Sequence, residues 1–181
     1  GAHDYYYVTP GVKFFAFAGG REVAMRGKLP SPVGRLEDGF AAVGVRLLHD
    51  EHVVADHPDG GRVGIVGLRD TRFFEPRYEA AWDGLPDDVP VILLAHCADV
   101  LKQVGHRDPD MAFFGHTHGG QVRLPILGAV ATRCELPGEK AAGVFSHRKT
   151  LCLLNNGVGA GRWLNFRLLC PPEVSVVEIT A

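Results

Sequence analysis

Short apolar runs alternate with helical patterns along most of this chain. Apolar, β-branched runs of this length, bounded by turn residues, are typical of buried strands. From residue 40 onward they predict strands, and after a region of turns further strand patterns follow. The predicted strands cover residues 44–48, 62–66, 91–95, 111–114, 144–145, 151–155 and 173–179.

Helical periodicity appears between these runs. From Tyr78, just after Pro76, apolar residues recur at i, i+3, i+4 and i+7, which suits the start of a helix. Ser31 followed by Pro32 predicts a capping residue with proline in the first helical position. A short helix is expected over residues 98–104. Strands that alternate with helices, followed by a strand-rich tail, indicate a layered α/β domain, expected to be a single one over residues 1–181.

Composition narrows the class of protein. The 181 residues are 46% hydrophobic, which is enough to bury a sizeable core. A net charge of −2 gives no electrostatic case for binding nucleic acid or an anionic membrane. The four cysteines form no C-x-x-C pair and are expected to be reduced thiols.

The strongest chemical signal is the segment 115–120, Gly-His-Thr-His-Gly-Gly, directly after the predicted strand 111–114. Two histidines at i and i+2 in a turn that leaves a strand can direct both imidazoles to one pocket, and glycines let the backbone bend tightly. Neutral imidazole is a common ligand of zinc, manganese and iron. A solvated loop that happens to contain two histidines is the alternative, and we favour metal binding by His116 and His118.

A second signal is His96, which follows the predicted strand 91–95. Ligands in open α/β sheets gather at the carboxyl ends of strands, so His96 and His116 can converge although twenty positions separate them. Alone, His96 would more often be a half-buried structural histidine. The other histidines after His3 are interpreted as structural or solvated: His49, His52, His57, His106 and His147.

These pieces, taken in order, resemble the calcineurin-like metallophosphoesterases. The signature of that family runs D-x-H, G-D-x-x-D, G-N-H-[DE], a lone His after a strand, and G-H-x-H. Segment 1–4, Gly-Ala-His-Asp, resembles the third block, His96 the fourth, and segment 115–118 the fifth. The most similar branch is bacterial and has G-N-H-D-Y-Y, L-L-A-H-x-P-D and G-H-T-H-G-G-Q-x-R-L-P. Its C-terminal pattern is matched by Asn156-Gly157-Val158-Gly159 and Arg167.

The resemblance implies an α-β-β-α sandwich and hydrolysis of a phosphate mono- or diester at two divalent metal ions, manganese, iron or zinc. His96 and His116 would bind one ion and His118 the other. His3 would stabilise or protonate the leaving group, with Asp4 orienting it. The implied substrate is a small or lipid-linked phosphoester, with no nucleic acid; oligomeric state stays open.

The chain also departs from the family pattern. The D-x-H and G-D-x-x-D blocks are absent from their place before Gly1, so N-terminal strands and helices of the fold are expected to be missing, and residues 8–35 resemble an insertion. Ala2 stands where the family has a metal-binding Asn, and a methyl group coordinates nothing. We therefore expect weak metal binding and impaired turnover; the alternative is an inactive binding or scaffold module of the same fold. Location stays open between the cytoplasm and a membrane-associated or envelope position, because an anchor would lie in the missing part.

Overall fold

A six-stranded mixed sheet organises residues 48–181, the larger of two compact units into which the chain divides. The computed structural model describes residues 2–8, 28–56, 58, 60–71, 74–103, 107–132, 134–135, 140–160 and 166–179. Most of the expected insertion, residues 9–27, lies outside these ranges. The single domain over residues 1–181 and the insertion at 8–35 stay predictions.

The smaller unit, residues 1–47, contains two helices and a pair of short strands among its described residues. Helix α1 (Ala2–Tyr5) leads into strand β1 (Tyr6–Val8), which pairs antiparallel with β2 (Lys28–Pro30). Helix α2 (Val33–Ala42) follows.

The larger unit contains the remaining strands. They are β3 (Glu51–Asp56), β4 (Arg62–Leu68), β5 (Val91–Ala95), β6 (Met111–Phe114), β7 (Arg123–Leu124), β8 (Gly128–Ala129), β9 (Gly143–His147) and β10 (Thr150–Leu154). The order in the six-stranded sheet is β3-β4-β5-β6-β10-β9. Strands β4, β5, β6 and β10 run parallel, and the edge strands β3 and β9 are antiparallel to their neighbours. A separate antiparallel pair joins β7 and β8.

The described part of this unit also contains three short helical segments: α3 (Tyr78–Trp82) and the 3₁₀ helices η1 (Ala98–Lys102) and η2 (His118–Gly120). None of the helices within the described ranges has the length and apolar character that a bilayer crossing requires. The α/β class is confirmed, and the six-stranded sheet with few helices is consistent with a metallophosphoesterase-type fold.

The hydrophobic core lies against one face of the sheet. On β5, Val91 and Leu93 are buried while Leu94 is 41% exposed, and on β10, Cys152 and Leu154 are buried while Leu151 is 45% exposed. The buried face packs on residues of α3 and η1, including Ala81, Val100 and Leu101. The apolar runs therefore bury one face of the sheet more fully than the other, although continuous apolar runs predict burial on both.

Most predicted elements are confirmed, and the central ones closely: β5 and β6 have the predicted bounds, while β4 and β9 extend beyond theirs. Two predicted strands are wrong. Residues 44–48 form no strand, because the backbone amides of Val43, Gly44 and Val45 donate to carbonyls at the end of α2. Residues 173–179 are irregular: the Glu173 amide donates to the Gly157 carbonyl, 3.1 Å away, and no strand ladder forms.

Helix boundaries also differ from the predictions. Helix α2 begins at Val33 with Pro32 as its N-cap, one residue later than expected, and no side chain caps it. Helix α3 ends at Trp82, and the expected helix 98–104 is the 3₁₀ segment η1. Shifts of one or two residues at helix ends follow from fraying and from 3₁₀ geometry in the last turn.

Candidate metal centre

Side chains that could bind a ligand collect at the carboxyl edge of the parallel strands. The residues just beyond these strand ends are Arg69 and Asp70 after β4, His96 after β5, His116 after β6, and Asn155 and Asn156 after β10. Because the four strands are adjacent and parallel, these positions share one edge of the sheet. Ligand sites of open α/β sheets occur at this edge.

His96 and His116 meet at that edge. Their ring centroids are 5.1 Å apart and the rings are nearly perpendicular, at 77°. The backbone reinforces the contact, since the Gly115 amide donates to the His96 carbonyl at 3.1 Å. The convergence expected from strand order is thus present for this pair.

His118 lies two residues further along the same turn, as the first residue of η2. Within the described residues, the donor atoms of His96, His116 and His118 do not form a three-ligand group with all separations below 4.8 Å. The assignment of His118 to a separate ion stays a prediction, as does metal binding by the other two.

The turn that carries these histidines is held in an unusual backbone conformation. His116, His118 and Gln121 have positive φ values of 71°, 52° and 57°. For residues with a Cβ the left-handed region costs about 1 kcal/mol or more each. Such strain persists only where the surroundings impose it, and it is found often at ligand sites.

Thr117 anchors the turn from inside. Its hydroxyl is buried, donates to the Ala141 carbonyl at 2.7 Å and accepts from the Gly119 amide at 3.2 Å. The local hydrogen bond from residue i+2 to a threonine oxygen is a common device that stabilises tight turns. The threonine between the two histidines is therefore structural.

Gly119 permits the close approach of the loop after β10. A Cβ at this position would lie 2.3 Å from Asn156 Oδ1 and 2.6 Å from Cys170 Sγ, and the φ of Gly119 is +66°. Both the space and the backbone angle thus require glycine.

Arg167 links the two loops at this edge. Its guanidinium donates to the His118 carbonyl at 3.2 Å and to the carbonyls of Asn156 and Gly157, both at 2.9 Å. The Cys170 thiol also donates to the His118 carbonyl, at 3.2 Å. The sequence identified Arg167 only as part of the C-terminal resemblance; its role depends on contacts 49 positions apart, for which spacing carries no signal.

Asn156 contributes a buried polar atom to the same region. Its side-chain Oδ1 is buried and has no hydrogen-bond partner among the described residues. Buried carbonyl oxygens are nearly always satisfied, so an orphan at a ligand edge marks a place where a donor or a cation would be stabilised.

Asp50 has a structural role at the same edge. It is 2% exposed, and its carboxylate accepts from the Arg69 amide at 2.9 Å and from Arg69 Nε at 2.7 Å. Burial alone would raise the pKa of Asp50, but the hydrogen bonds from Arg69 hold it below its usual range. Segment 50–52 has the letters D-x-H, yet His52 Nδ1 is bonded to the Ala81 carbonyl at 3.0 Å, so His52 serves packing.

The structure places His147 away from this edge. His147 ends β9 opposite Thr150, the first residue of β10, and so lies at the amino edge of the parallel strands. His57 and His106 fall outside the described residues. His3 and Asp4 belong to α1 in the smaller unit, where Asp4 is exposed, and their catalytic role stays a prediction.

The geometry of His96 and His116 suits metal binding. Two neutral imidazoles in edge contact at one strand edge are the donor set that zinc, manganese and iron accept. The unsatisfied Asn156 oxygen lies beside the same turn. These donors fit one ion held by the two imidazoles. Their position beyond the parallel strands is where open α/β sheets bind ligands.

Comparison with known proteins also points to a metal-dependent protein of this α/β type. The chain is 33% identical to the uncharacterized metallophosphoesterase YkuE of Bacillus subtilis over 123 residues, which is 67% of this chain and 42% of YkuE. It is 31% identical to the UDP-2,3-diacylglucosamine pyrophosphatase LpxG of Chlamydia muridarum over 141 residues, 74% of this chain and 41% of LpxG. It is 34% identical to the phosphodiesterase YaeI of Escherichia coli over 93 residues, 51% of this chain and 33% of YaeI.

The chain belongs to the calcineurin-like metallophosphoesterase family. It spans about two fifths of the length of YkuE and of LpxG. No family model and no solved structure matches the chain. The relatives named here are a metallophosphoesterase, a pyrophosphatase and a phosphodiesterase, and the family implies divalent metal ions.

Proposed function

We propose that this chain carries part of a metal-dependent phosphoesterase centre that hydrolyses a phosphate mono- or diester with two divalent ions. The observation that supports this most is the contact of His96 with His116 at the carboxyl edge of the sheet. An edge-to-face contact between two rings is favourable in packing alone, and at a ligand-binding edge the same two imidazoles also provide the donors for a shared cation.

His96 and His116 would hold one ion and His118 the other, as manganese, iron or zinc. When bound, the two ions supply Lewis-acid polarisation of the phosphate and a water of lowered pKa. The chain's own residues orient these ligands: Thr117 anchors the turn from within, and Arg167 holds the His118 carbonyl in place. Hydrogen bonds that fix ligand-bearing backbone in this way sustain metal affinity.

His3 would stabilise or protonate the leaving group, and Asp4 would orient the His3 imidazole. Ala2 provides no donor where the family has a metal-binding Asn. With two protein ligands for one ion and one for the other, we propose that the chain by itself binds metal weakly and turns over slowly.

The substrate proposed is a small or lipid-linked phosphoester. LpxG is named a UDP-2,3-diacylglucosamine pyrophosphatase, which refers to a lipid-linked phosphoanhydride, and YaeI is named a phosphodiesterase, so the test includes a diester beside a monoester. The net charge of −2 and the absence of a basic stripe in the sequence argue against nucleic acid.

The test is hydrolysis of p-nitrophenyl phosphate and bis(p-nitrophenyl) phosphate with added manganese. We expect slow release that a chelator stops, and a loss of roughly tenfold or more in metal affinity and rate for His116→Ala. His147→Ala is the matched control, because this residue lies at the opposite edge of the sheet. This variant should keep the metal affinity and the rate of the parent.

Two results would count against the proposal. If His116→Ala still releases p-nitrophenol at the parent rate, the histidine pair takes no part in the hydrolysis. Fast release of p-nitrophenol by the unmodified chain would contradict the proposed slow turnover. Metal binding without any release would favour the binding module.

A further inference from the structure

A second group of potential metal ligands lies one residue beyond His96. Cys97, Asp99 and Cys134 each offer one donor atom, and these atoms all lie within 4.8 Å of one another. The two sulfurs are 3.9 Å apart, and Cys134 Sγ is 2.8 Å from Asp99 Oδ1. Among the described residues no other group of three histidine, cysteine or acidic side chains is this close.

Two elements hold the donors together. Cys97 is 1% exposed and is the N-cap of η1, and Asp99 lies in the first turn of that helix. Cys134 lies in the segment after β8. In the same segment, the Glu135 amide donates to Asp99 Oδ1 at 2.8 Å. Lys102 forms an ion pair with Glu135 that joins η1 to this segment a second time.

The Asp99 carboxylate is already positioned beside a sulfur. Its Oδ1 lies 2.8 Å from Cys134 Sγ and also accepts from the Glu135 amide at 2.8 Å. The side chain is thus held in place at the sulfur pair.

We propose that Cys97, Asp99 and Cys134 bind a thiophilic divalent ion of the zinc class, at a site separate from the histidine pair. Tetrahedral zinc with bonds of about 2.3 Å to two thiolates places the sulfurs ~3.8 Å apart. The sulfurs are 3.9 Å apart already, so binding needs little movement of Cys97 and Cys134.

Binding requires the two thiols to lose their protons to solvent, so one ion enters and two protons leave. The contact between Cys134 and Asp99 then lengthens, because a thiol–carboxylate hydrogen bond at 2.8 Å becomes two bonds to a shared cation. Three protein ligands leave a fourth position for water. Two sulfurs and one oxygen favour zinc over manganese, which prefers oxygen ligands.

A disulfide is the competing use of the same sulfurs. It requires the sulfurs to close from 3.9 Å to about 2.05 Å and an external oxidant to accept two electrons. It also removes the Cys134 thiol from Asp99, which then keeps only its hydrogen bond from the Glu135 amide. The metal uses all three groups.

The test is cobalt substitution of the reduced protein, after titration has shown four free thiols. Thiolate ligands give Co²⁺ a charge-transfer absorption in the near ultraviolet, which imidazole ligands do not give. We expect this band in the unmodified chain and a band of roughly half the intensity or less in Cys134→Ser, which leaves only the Cys97 sulfur. In Asp99→Asn, which keeps both sulfurs, the band should survive with weaker cobalt affinity.

Two control variants separate this site from other effects. Cys152→Ala removes a buried thiol from β10 and is expected to keep the band. His116→Ala also keeps the band, although it removes the proposed phosphoesterase ligand, so the two proposals fail independently. Cobalt bound without the band, or a band of undiminished intensity in Cys134→Ser with native circular dichroism, would overturn the site.

Discussion

Gly119→Ala probes the packing of the turn that carries the site histidines. The new methyl would lie 2.3 Å from Asn156 Oδ1 and 2.6 Å from Cys170 Sγ, both well inside van der Waals contact. The main chain of Asn156 cannot retreat freely, because its backbone carbonyl accepts from Arg167. Relief of the clash therefore requires rotation of two buried side chains, Asn156 and Cys170, or a shift of the turn.

The cost of this substitution has two parts. A non-glycine residue at the φ of +66° costs about 1 kcal/mol. Overpacking a filled site costs about 1–3 kcal/mol more. We expect a loss of about 3 kcal/mol, which for a urea dependence of about 2 kcal/mol per molar lowers the unfolding midpoint by roughly 1.5 M.

Urea unfolding followed by tryptophan fluorescence measures this loss, since both tryptophans lie in residues 48–181, the unit that contains the turn. Gly84→Ala is the matched control. Gly84 also has a positive φ, +81°, but a methyl group at this position would meet no atom within 4 Å. Only the backbone cost of about 1 kcal/mol therefore applies to the control. Equal losses in the two variants would refute the packing argument.

Three further predictions concern stability. Asp50→Asn removes the charge that pairs with Arg69 and should cost about 2–3 kcal/mol at neutral pH. Because the folded pKa of Asp50 is lowered, this contribution is present above the unfolded pKa of about 3.9 and is lost as the pH falls through the folded pKa. The urea midpoints of the variant and the parent should therefore converge in acid. Thr117→Val leaves the Ala141 carbonyl buried without its donor and should cost about 1–3 kcal/mol by the same assay. Gly39→Ala fills open space in helix α2 and should raise helix stability by about 0.5–1 kcal/mol, seen by circular dichroism on heating; a loss would contradict the helical assignment.

The two proposed metal sites differ in ligand chemistry although they adjoin each other in sequence. His96 follows the parallel strand β5 and faces His116 with nitrogen donors. Cys97, the next residue, is buried and faces Cys134 with sulfur. Because manganese avoids sulfur whereas zinc accepts both imidazole and thiolate, we expect zinc at the thiols and no manganese there.

Local sequence determined the central strands and the character of the histidine turn. Residues 91–95 and 111–114 are apolar runs whose neighbours in the sheet are similar runs, so propensity and tertiary pairing agree. The glycines of segment 115–120 follow from the tight turn and the close approach of Asn156. Where propensity found no pairing partner, as in residues 44–48 and 173–179, the prediction was wrong.

Tertiary structure decided which distant groups meet. His96 touches His116 because β5 and β6 are adjacent and parallel, and Arg167 reaches the His118 carbonyl across 49 positions. Cys97 and Cys134, 37 positions apart and in no recognisable motif, come into contact only through the packing of η1 against the segment after β8. Periodicity and spacing report the conformation of neighbouring residues, whereas contacts between distant side chains depend on strand order and packing, which no local pattern contains.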